Sequence, residues 1–90
     1  MNKVELISAV ARKTGLSKAE SAAGVNAMIG LITGALSKNE KVTITGFGAF
    51  DVGVRQARRG VNPYTKKHIE IPELRLPRFR AGKALRQLVK

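Results

Sequence analysis

The residues best suited to chemistry are cations on both sides of the turn signal Asn62-Pro63, namely Arg55, Arg58, Arg59, Lys66 and Lys67. Clustered Lys and Arg side chains neutralise phosphates and release the counterions condensed around a polyanion. Apolar residues are sparse between Arg55 and Lys67, so this stretch has little with which to build a core of its own. The pattern therefore predicts a surface for a polyanionic partner.

The distribution of charge supports the same interpretation. The formal net charge is +11, and eleven of the 17 Lys and Arg residues lie from Val52 onward, where Glu70 and Glu73 are the only acids. A basic half of this kind favours nucleic acid, with anionic lipid or acidic protein as the alternative partner. Composition alone does not distinguish RNA from DNA.

Few residues in the sequence are candidates for catalysis or metal binding. The single histidine, His68, stands beside lysines, without the orienting partner and pocket that a general base needs. Glu70 and Glu73 are three residues apart in a strand region, so they face different ways. The chain has no cysteine and no phosphate-loop motif. We therefore predict no enzymatic activity, no metal and no cofactor.

Strand patterns position the basic stretch. Lys41–Thr45 alternates as a first strand, and Gly46-Phe47-Gly48 connects it to a second strand that becomes the basic ribbon. The ribbon turns at Asn62-Pro63. The chain returns along a strand from about His68 to Phe79, which Pro72 and Pro77 are expected to break. Because proline cannot donate to a sheet ladder, both positions are predicted to lie at an edge or a bulge.

Helical patterns occupy both ends of the chain. Asn2 caps a predicted first helix that ends at Thr14, before Gly15. Ser17–Glu20 is a capping box that opens a second helix, ending near Ser37. Lys83–Lys90 is predicted to form a short C-terminal helix. Gly24, Gly30 and Gly34 in the second helix indicate either close approach of another helix or simple tolerance by the surrounding packing.

A body this small is marginal as a single core. No disulfide or metal can reinforce its 90 residues, so oligomerisation is the expected way to complete the core. Phe47, Phe50 and Phe79 are predicted to pack inside the body and not to stack on bases, whereas Tyr64 is expected to be exposed at the ribbon tip. We expect neither a signal peptide nor a run long enough to span a bilayer.

Several spaced motifs together resemble the bacterial HU and integration host factor family. The run comprises Gly46-Phe47, Phe50, Arg55, Arg58, Gly60, Asn62-Pro63 and Thr65. The likeness covers the whole chain and includes Asn2-Lys3, Gly15-Leu16-Ser17, Ile71-Pro72, Phe79 and Gly82-Lys83-Ala84-Leu85.

The resemblance implies an α+β fold and an intertwined homodimer. Each chain would be a single DNA-binding domain, 1–90, with a helical hairpin and first strand (1–45), a short antiparallel sheet with a long β-ribbon arm (46–80) and a C-terminal helix (81–90). Its implied dimer core is Ile32, Leu36, Phe47, Phe50 and Phe79.

The resemblance also implies a DNA interface. The arms would enter the minor groove, and Pro63 at the tip would intercalate between base pairs. The implied DNA-binding residues are Lys3, Arg55, Arg58, Arg59, Asn62, Pro63, Thr65, Lys66, Arg75, Arg80, Lys83 and Arg86. The chain departs from the usual family pattern at Gly53, Val61, Lys66, His68 and Ala81, which affects the expected contacts and not the fold.

Four functions compete on this basis. The first is a non-catalytic architectural protein that bends, wraps and compacts double-stranded DNA with little sequence preference, favours bent, nicked or flexible sites, and works at the nucleoid in the cytoplasm. Few Asn or Gln side chains in the arm favour this interpretation over a sequence-preferring bender. RNA binding is a secondary alternative, and a membrane role is the least favoured.

Overall fold

The computed structural model describes residues 1–90 and has two compact units, Met1–Gly34 and Ala35–Lys90. Three helices and five strands follow one another as α1 (Lys3–Thr14), α2 (Lys18–Ser37), β1 (Val42–Ile44), β2 (Gly48–Arg55), β3 (Arg58–Val61), β4 (His68–Ile71), β5 (Leu74–Ala81) and α3 (Lys83–Val89). All strand pairs are antiparallel. The predicted α+β class is confirmed.

Local hydrogen bonds define the ends of the first two helices. The Asn2 side chain accepts a hydrogen bond from the Glu5 backbone N–H at 2.9 Å. Gly15 ends α1 in the left-handed region, with φ of 77°. Ser17 and Glu20 then bond reciprocally, at 3.0 and 3.1 Å, as a capping box. These bonds confirm the predicted caps, because each needs only residues close in sequence.

Helix α2 buries little of its apolar surface within the chain. Val25 is the only buried large apolar side chain, and Leu31 remains 74% exposed. The expectation that no run is long enough to span a bilayer was wrong on length. Helix α2 is 20 residues long and contains an 18-residue stretch with a mean hydropathy of 1.2, which meets the length and composition of a membrane span. Core helices of non-membrane proteins meet the same criterion.

The body sheet has the strand order β1-β2-β5. Phe50 is paired with Val42 on one side and with Phe79 on the other. The Phe79 ring lies 5.2 Å from the Phe47 ring and 4.9 Å from the Phe50 ring, between centroids. The three rings therefore contact one another as predicted, but Phe47 and Phe79 both remain 43% exposed, so their burial in a core stays a prediction.

Gly48 permits this aromatic cluster. A Cβ at Gly48 would lie 2.5 Å from the Arg80 carbonyl oxygen and 2.7 Å from the Phe79 ring. Gly48 is itself buried, so no larger side chain fits without displacing backbone. The Gly-Phe-Gly connection thus allows β2 and β5 to approach closely where the rings meet.

The arm hairpin, β3 with β4, forms a separate two-stranded sheet. Residues 56–57 and 72–73 interrupt the two sides of the ribbon at the same level. The predicted break at Pro72 is confirmed. The predicted break at Pro77 was wrong, because Pro77 lies within β5 and is paired with Val52, whereas its predicted position on an edge is confirmed. Because β5 is an edge strand, one of its sides has no neighbouring strand. A missing backbone N–H on that side costs no hydrogen bond in the sheet.

An ion pair that the sequence patterns did not predict joins β2 to β5. Arg78 Nε donates to Asp51 Oδ1 at 3.0 Å, and Arg80 Nε lies 3.5 Å from Asp51 Oδ2. Arg78 reaches Asp51 across Gly53, where a Cβ would lie 2.8 Å from Arg78 Nε. The hydrogen bond from Arg78 lowers the pKa of Asp51 below its ordinary value of 3.8, although partial burial opposes the shift.

We expect Asp51→Asn to be less stable than the unaltered protein at neutral pH, and we expect this difference in stability to disappear in acid. Because the pKa of Asp51 is lower in the folded chain, its charge stabilises the fold above the ordinary pKa and ceases to do so as the pH falls through the folded value. The difference between the two proteins in urea midpoint should therefore shrink below about pH 4. Glu73→Gln, which removes a carboxylate without an ion pair, is the control. A difference that stays constant with pH would contradict this role of Asp51.

Candidate nucleic-acid interface

The arm hairpin has no apolar layer behind it. Four residue pairs define it, from Arg58 opposite Ile71 to Val61 opposite His68. Only Gly60 and Ile71 among these eight residues are half-buried, and the others are exposed. Backbone pairing therefore holds the hairpin together, while both faces remain accessible to a partner.

The arm cations are unpaired. The side chains of Arg55, Arg58, Arg59 and Lys66 are exposed and form no hydrogen bond or ion pair within the chain. Arg59 stands opposite Glu70 in the ladder, but the two side chains form no ion pair. Without intrachain partners, these positive charges are available to phosphate oxygens.

Three other predicted DNA-binding cations already have partners within the chain. Lys3 Nζ donates to Asn26 Oδ1 at 3.0 Å. The Arg75 guanidinium donates to the Asn39 side chain and, at 3.5 Å, to the Ser37 carbonyl, next to the end of α2. Arg80 lies beside Asp51. These groups would have to share or exchange their partners to contact a phosphate.

The predicted site residues fall into four groups. Arg55, at the end of β2, leads into the arm, which provides Arg58, Arg59, Asn62, Pro63, Thr65 and Lys66. Strand β5 holds Arg75 and Arg80, and α3 holds the exposed Lys83 and Arg86. Lys3 belongs to the other compact unit.

The arm tip is a turn organised by Asn62. Asn62 Oδ1 accepts hydrogen bonds from the backbone N–H groups of Tyr64, at 2.9 Å, and Thr65, at 3.3 Å. The Asn62 carbonyl accepts from the Lys66 N–H at 2.8 Å, and the Asn62 N–H donates to the Lys67 carbonyl at 2.9 Å. Asn62 thus shapes the turn around Pro63, which confirms the turn predicted at Asn62-Pro63. Asparagine favours such turns because its side chain can accept hydrogen bonds from nearby backbone N–H groups.

Lys66 closes the tip in an unfavourable backbone conformation. Its φ of 56° lies in the left-handed region, which costs a non-glycine residue roughly 1 kcal/mol. The chain thus has a cation at the tip at the expense of local strain. Thr65 offsets part of that strain, since its hydroxyl accepts a hydrogen bond from the Lys67 N–H at 3.4 Å.

Apolar groups project from this turn. Pro63 is exposed, Val61 is exposed, and Tyr64 is 94% exposed, as predicted. His68 is exposed on β4, away from any partner that would make it a general base. No group of three or more His, Cys, Asp or Glu side chains comes together as a metal site. The tip therefore combines apolar groups with flanking cations.

Comparison with known proteins adds the family. Residues 1–90 match the family described as bacterial DNA-binding protein. The chain is 50% identical over 90 residues to the DNA-binding protein HU of Geobacillus stearothermophilus and 49% identical to that of Staphylococcus aureus strain COL, with full coverage of both chains in each case.

Solved structures agree with these matches. The chain is 45% identical to the protein in an Anabaena HU–DNA cocrystal structure, with a TM-score of 0.87 and coverage of 99% of this chain and 97% of that one. HU from Thermotoga maritima is 36% identical, with a TM-score of 0.71 and full coverage of both chains. These likenesses confirm the resemblance inferred from the motifs and the prediction that the chain is not an enzyme. The chain belongs to the bacterial DNA-binding protein family, and these relatives are HU proteins.

Proposed function

We propose that this chain is an architectural protein that binds double-stranded DNA and bends, wraps and compacts it with little sequence preference. One observation carries the proposal. The arm hairpin has exposed cations without intrachain partners along its length, no core of its own, and an exposed proline at its tip. Membership of a family of DNA-binding proteins supports the same partner.

Phosphate neutralisation supplies the affinity in this proposal. Arg55, Arg58, Arg59 and Lys66 hold the DNA backbone along the minor groove, with Asn62 and Thr65 shaping the turn between them. Lys83 and Arg86 add contacts from α3. Lys3, Arg75 and Arg80 contribute after sharing their present partners with phosphate oxygens. Because phosphates recur in every sequence, contacts of this kind position the protein without reading bases.

Pro63 supplies the bend. Proline is rigid, apolar and lacks an N–H, so it can enter a base step without burying an unpaired donor. Unstacking the step costs a few kcal/mol, which favours DNA that is already bent, nicked or flexible. The hydrogen bonds that Asn62 Oδ1 accepts from the Tyr64 and Thr65 N–H groups hold the turn in shape before DNA arrives.

The working unit in this proposal is an intertwined homodimer. A single chain leaves most of its large apolar side chains exposed, including Phe47 and Phe79 of the aromatic cluster. Ile32, Leu36, Phe47, Phe50 and Phe79 would form the shared core, and residues 1–90 of each chain would act as one DNA-binding domain. A Cβ at Gly24, Gly30 or Gly34 would meet no atom of the same chain outside its helix. In this proposal, any close approach to these glycines comes from the second subunit.

The proposed cellular place is the nucleoid in the bacterial cytoplasm. Double-stranded DNA is the partner there, and RNA is a secondary ligand because it offers the same phosphate charge. No membrane contact is proposed, since a second subunit accounts for the apolar surface of α2. A competition between linear duplex, nicked duplex and RNA at one salt concentration tests the assignment. Preference for RNA over both duplexes would contradict it.

The dimer predicts that stability depends on concentration. The thermal midpoint should rise with protein concentration, because folding and association are coupled. Phe79→Ala should cost about 3 kcal/mol, since its ring contacts two others in the cluster. Val61→Ala, on the arm, is the control and should leave the midpoint nearly unchanged. A native mass of one chain with a concentration-independent midpoint would contradict the dimer.

The phosphate contacts predict a steep dependence on salt. If each dimer neutralises about eight phosphates, log K against log salt should have a slope of about −7. Arg58→Ala should weaken binding to all sequences alike and reduce the slope by about one per contact removed, or twice that with two arms. Lys18→Ala, outside the proposed interface, should leave the slope unchanged. A difference of roughly a thousandfold between scrambled duplexes would instead favour a sequence-preferring bender.

If Pro63 acts as a wedge between base pairs, Pro63→Ala should affect DNA bending far more than DNA binding. Arg55, Arg58, Arg59 and Lys66 remain to hold phosphates, so the variant should keep most of its affinity for linear duplex. It should lose the bend and the preference for kinked DNA. Energy transfer between dyes on the two duplex ends measures this directly. If Pro63 only shapes the turn, the bend angle at saturating variant will equal that of the unaltered protein. Val61→Arg then tests whether the neighbouring apolar group takes part in insertion.

A further inference from the structure

The arm tip carries an exposed aromatic side chain, Tyr64, that has no role in the proposed function. Tyr64 is 94% exposed, whereas the three phenylalanine rings pack on one another in the body sheet. Tyr64 is also the only tyrosine in a chain that has no tryptophan. A large ring left almost wholly in water, next to the residue proposed to enter the DNA, points to a ligand with an aromatic face.

The backbone beneath this ring is held in place. The Tyr64 N–H donates to Asn62 Oδ1 at 2.9 Å, and the preceding residue, Pro63, has a fixed φ. Two side-chain torsions are then the main freedom that Tyr64 loses on contact, so its ring is ordered at low entropic cost. The turn thus presents proline and tyrosine as adjacent groups in a defined arrangement.

We infer that Tyr64 stacks on an unpaired DNA base beside the step that Pro63 opens, and so favours gapped over intact duplex. This rests on the proposed function, because the arm must first bring its tip to the DNA. In intact duplex the faces of each base are covered by neighbouring base pairs. At a gap, one base exposes its face, and base–aromatic stacking is sequence-tolerant because every base has a π-face.

The flanking charges suit such a site. Arg59 on β3 and Lys66 at the turn lie on either side of Pro63-Tyr64, and both are exposed without intrachain partners. They can hold phosphates on the two sides of a gap while the ring covers the unpaired base. The alternative use of Tyr64 is a hydrogen bond from its hydroxyl to a phosphate, which would need no unpaired base.

Two substitutions distinguish stacking from hydrogen bonding. The ratio of the Kd for intact duplex to the Kd for the same duplex with a one-nucleotide gap is measured at one salt concentration. Tyr64→Ser should lower this ratio about fivefold or more, the effect expected for loss of one stacked base. Tyr64→Phe retains the ring and should keep the ratio. An unchanged ratio in Tyr64→Ser, or an equal loss in Tyr64→Phe, would overturn the inference.

Tyrosine fluorescence provides an independent readout in the unaltered protein. Because Tyr64 is the only strong fluorophore, its emission reports on the tip alone. Gapped duplex should quench it more than intact duplex at equal saturation, and equal quenching would overturn the stacking inference. Failure of the unaltered protein to bind either duplex would overturn the proposed function, and the inference with it. Normal binding with no effect of Tyr64→Ser would overturn the inference alone.

Discussion

Backbone pairing between β3 and β4 must hold the arm hairpin, because neither strand has an apolar layer to support it. Four residue pairs and one turn define the hairpin. A two-stranded ribbon of this kind is only marginally stable in water. Its cations gain little from the rest of the chain, so their favourable interactions must come from a partner. The exposed arm and the net charge of +11 therefore both indicate an interface for a partner of opposite charge.

The body of the chain also buries little of its apolar surface. Residues in the arm do not contribute to a core. In a single chain, many apolar side chains of α2 and of the aromatic cluster remain exposed to solvent. The proposed second subunit covers this surface and duplicates the arm. Two arms on a shared body would hold a duplex at two places, and a wedge at each place would turn local unstacking into an overall bend. Dimer formation and DNA bending are thus linked through the small size of the chain.

Sequence reasoning succeeded where the determining contacts are local. The caps at Asn2 and Ser17–Glu20 were predictable because a side chain meets a backbone N–H three residues away. The basic ribbon was predictable because charge and apolar alternation are visible in the sequence itself. The edge position of Pro77 was predictable because proline cannot donate to a ladder, whereas the unbroken strand around it depends on the pairing of β5 with β2.

Other features required the register of strands distant in sequence. The pairing of Asp51 with Arg78 follows from β2 lying against β5, and Gly53 matters because the Arg78 side chain crosses it. The turn at Asn62-Pro63 was predictable from residue type, whereas the hydrogen bonds that the Asn62 side chain accepts from the Tyr64 and Thr65 N–H groups required the structure.

Ring closure of a short duplex tests the central claim most directly. A duplex of about 100 base pairs is shorter than the persistence length of DNA, so its ends rarely meet without an imposed bend. DNA ligase is added to dilute duplex with and without saturating protein, and monomer circles are counted against linear multimers. If the protein bends DNA as proposed, it will strongly increase the yield of monomer circles. Saturated duplex that yields only linear products, at the rate of free DNA, would contradict the account.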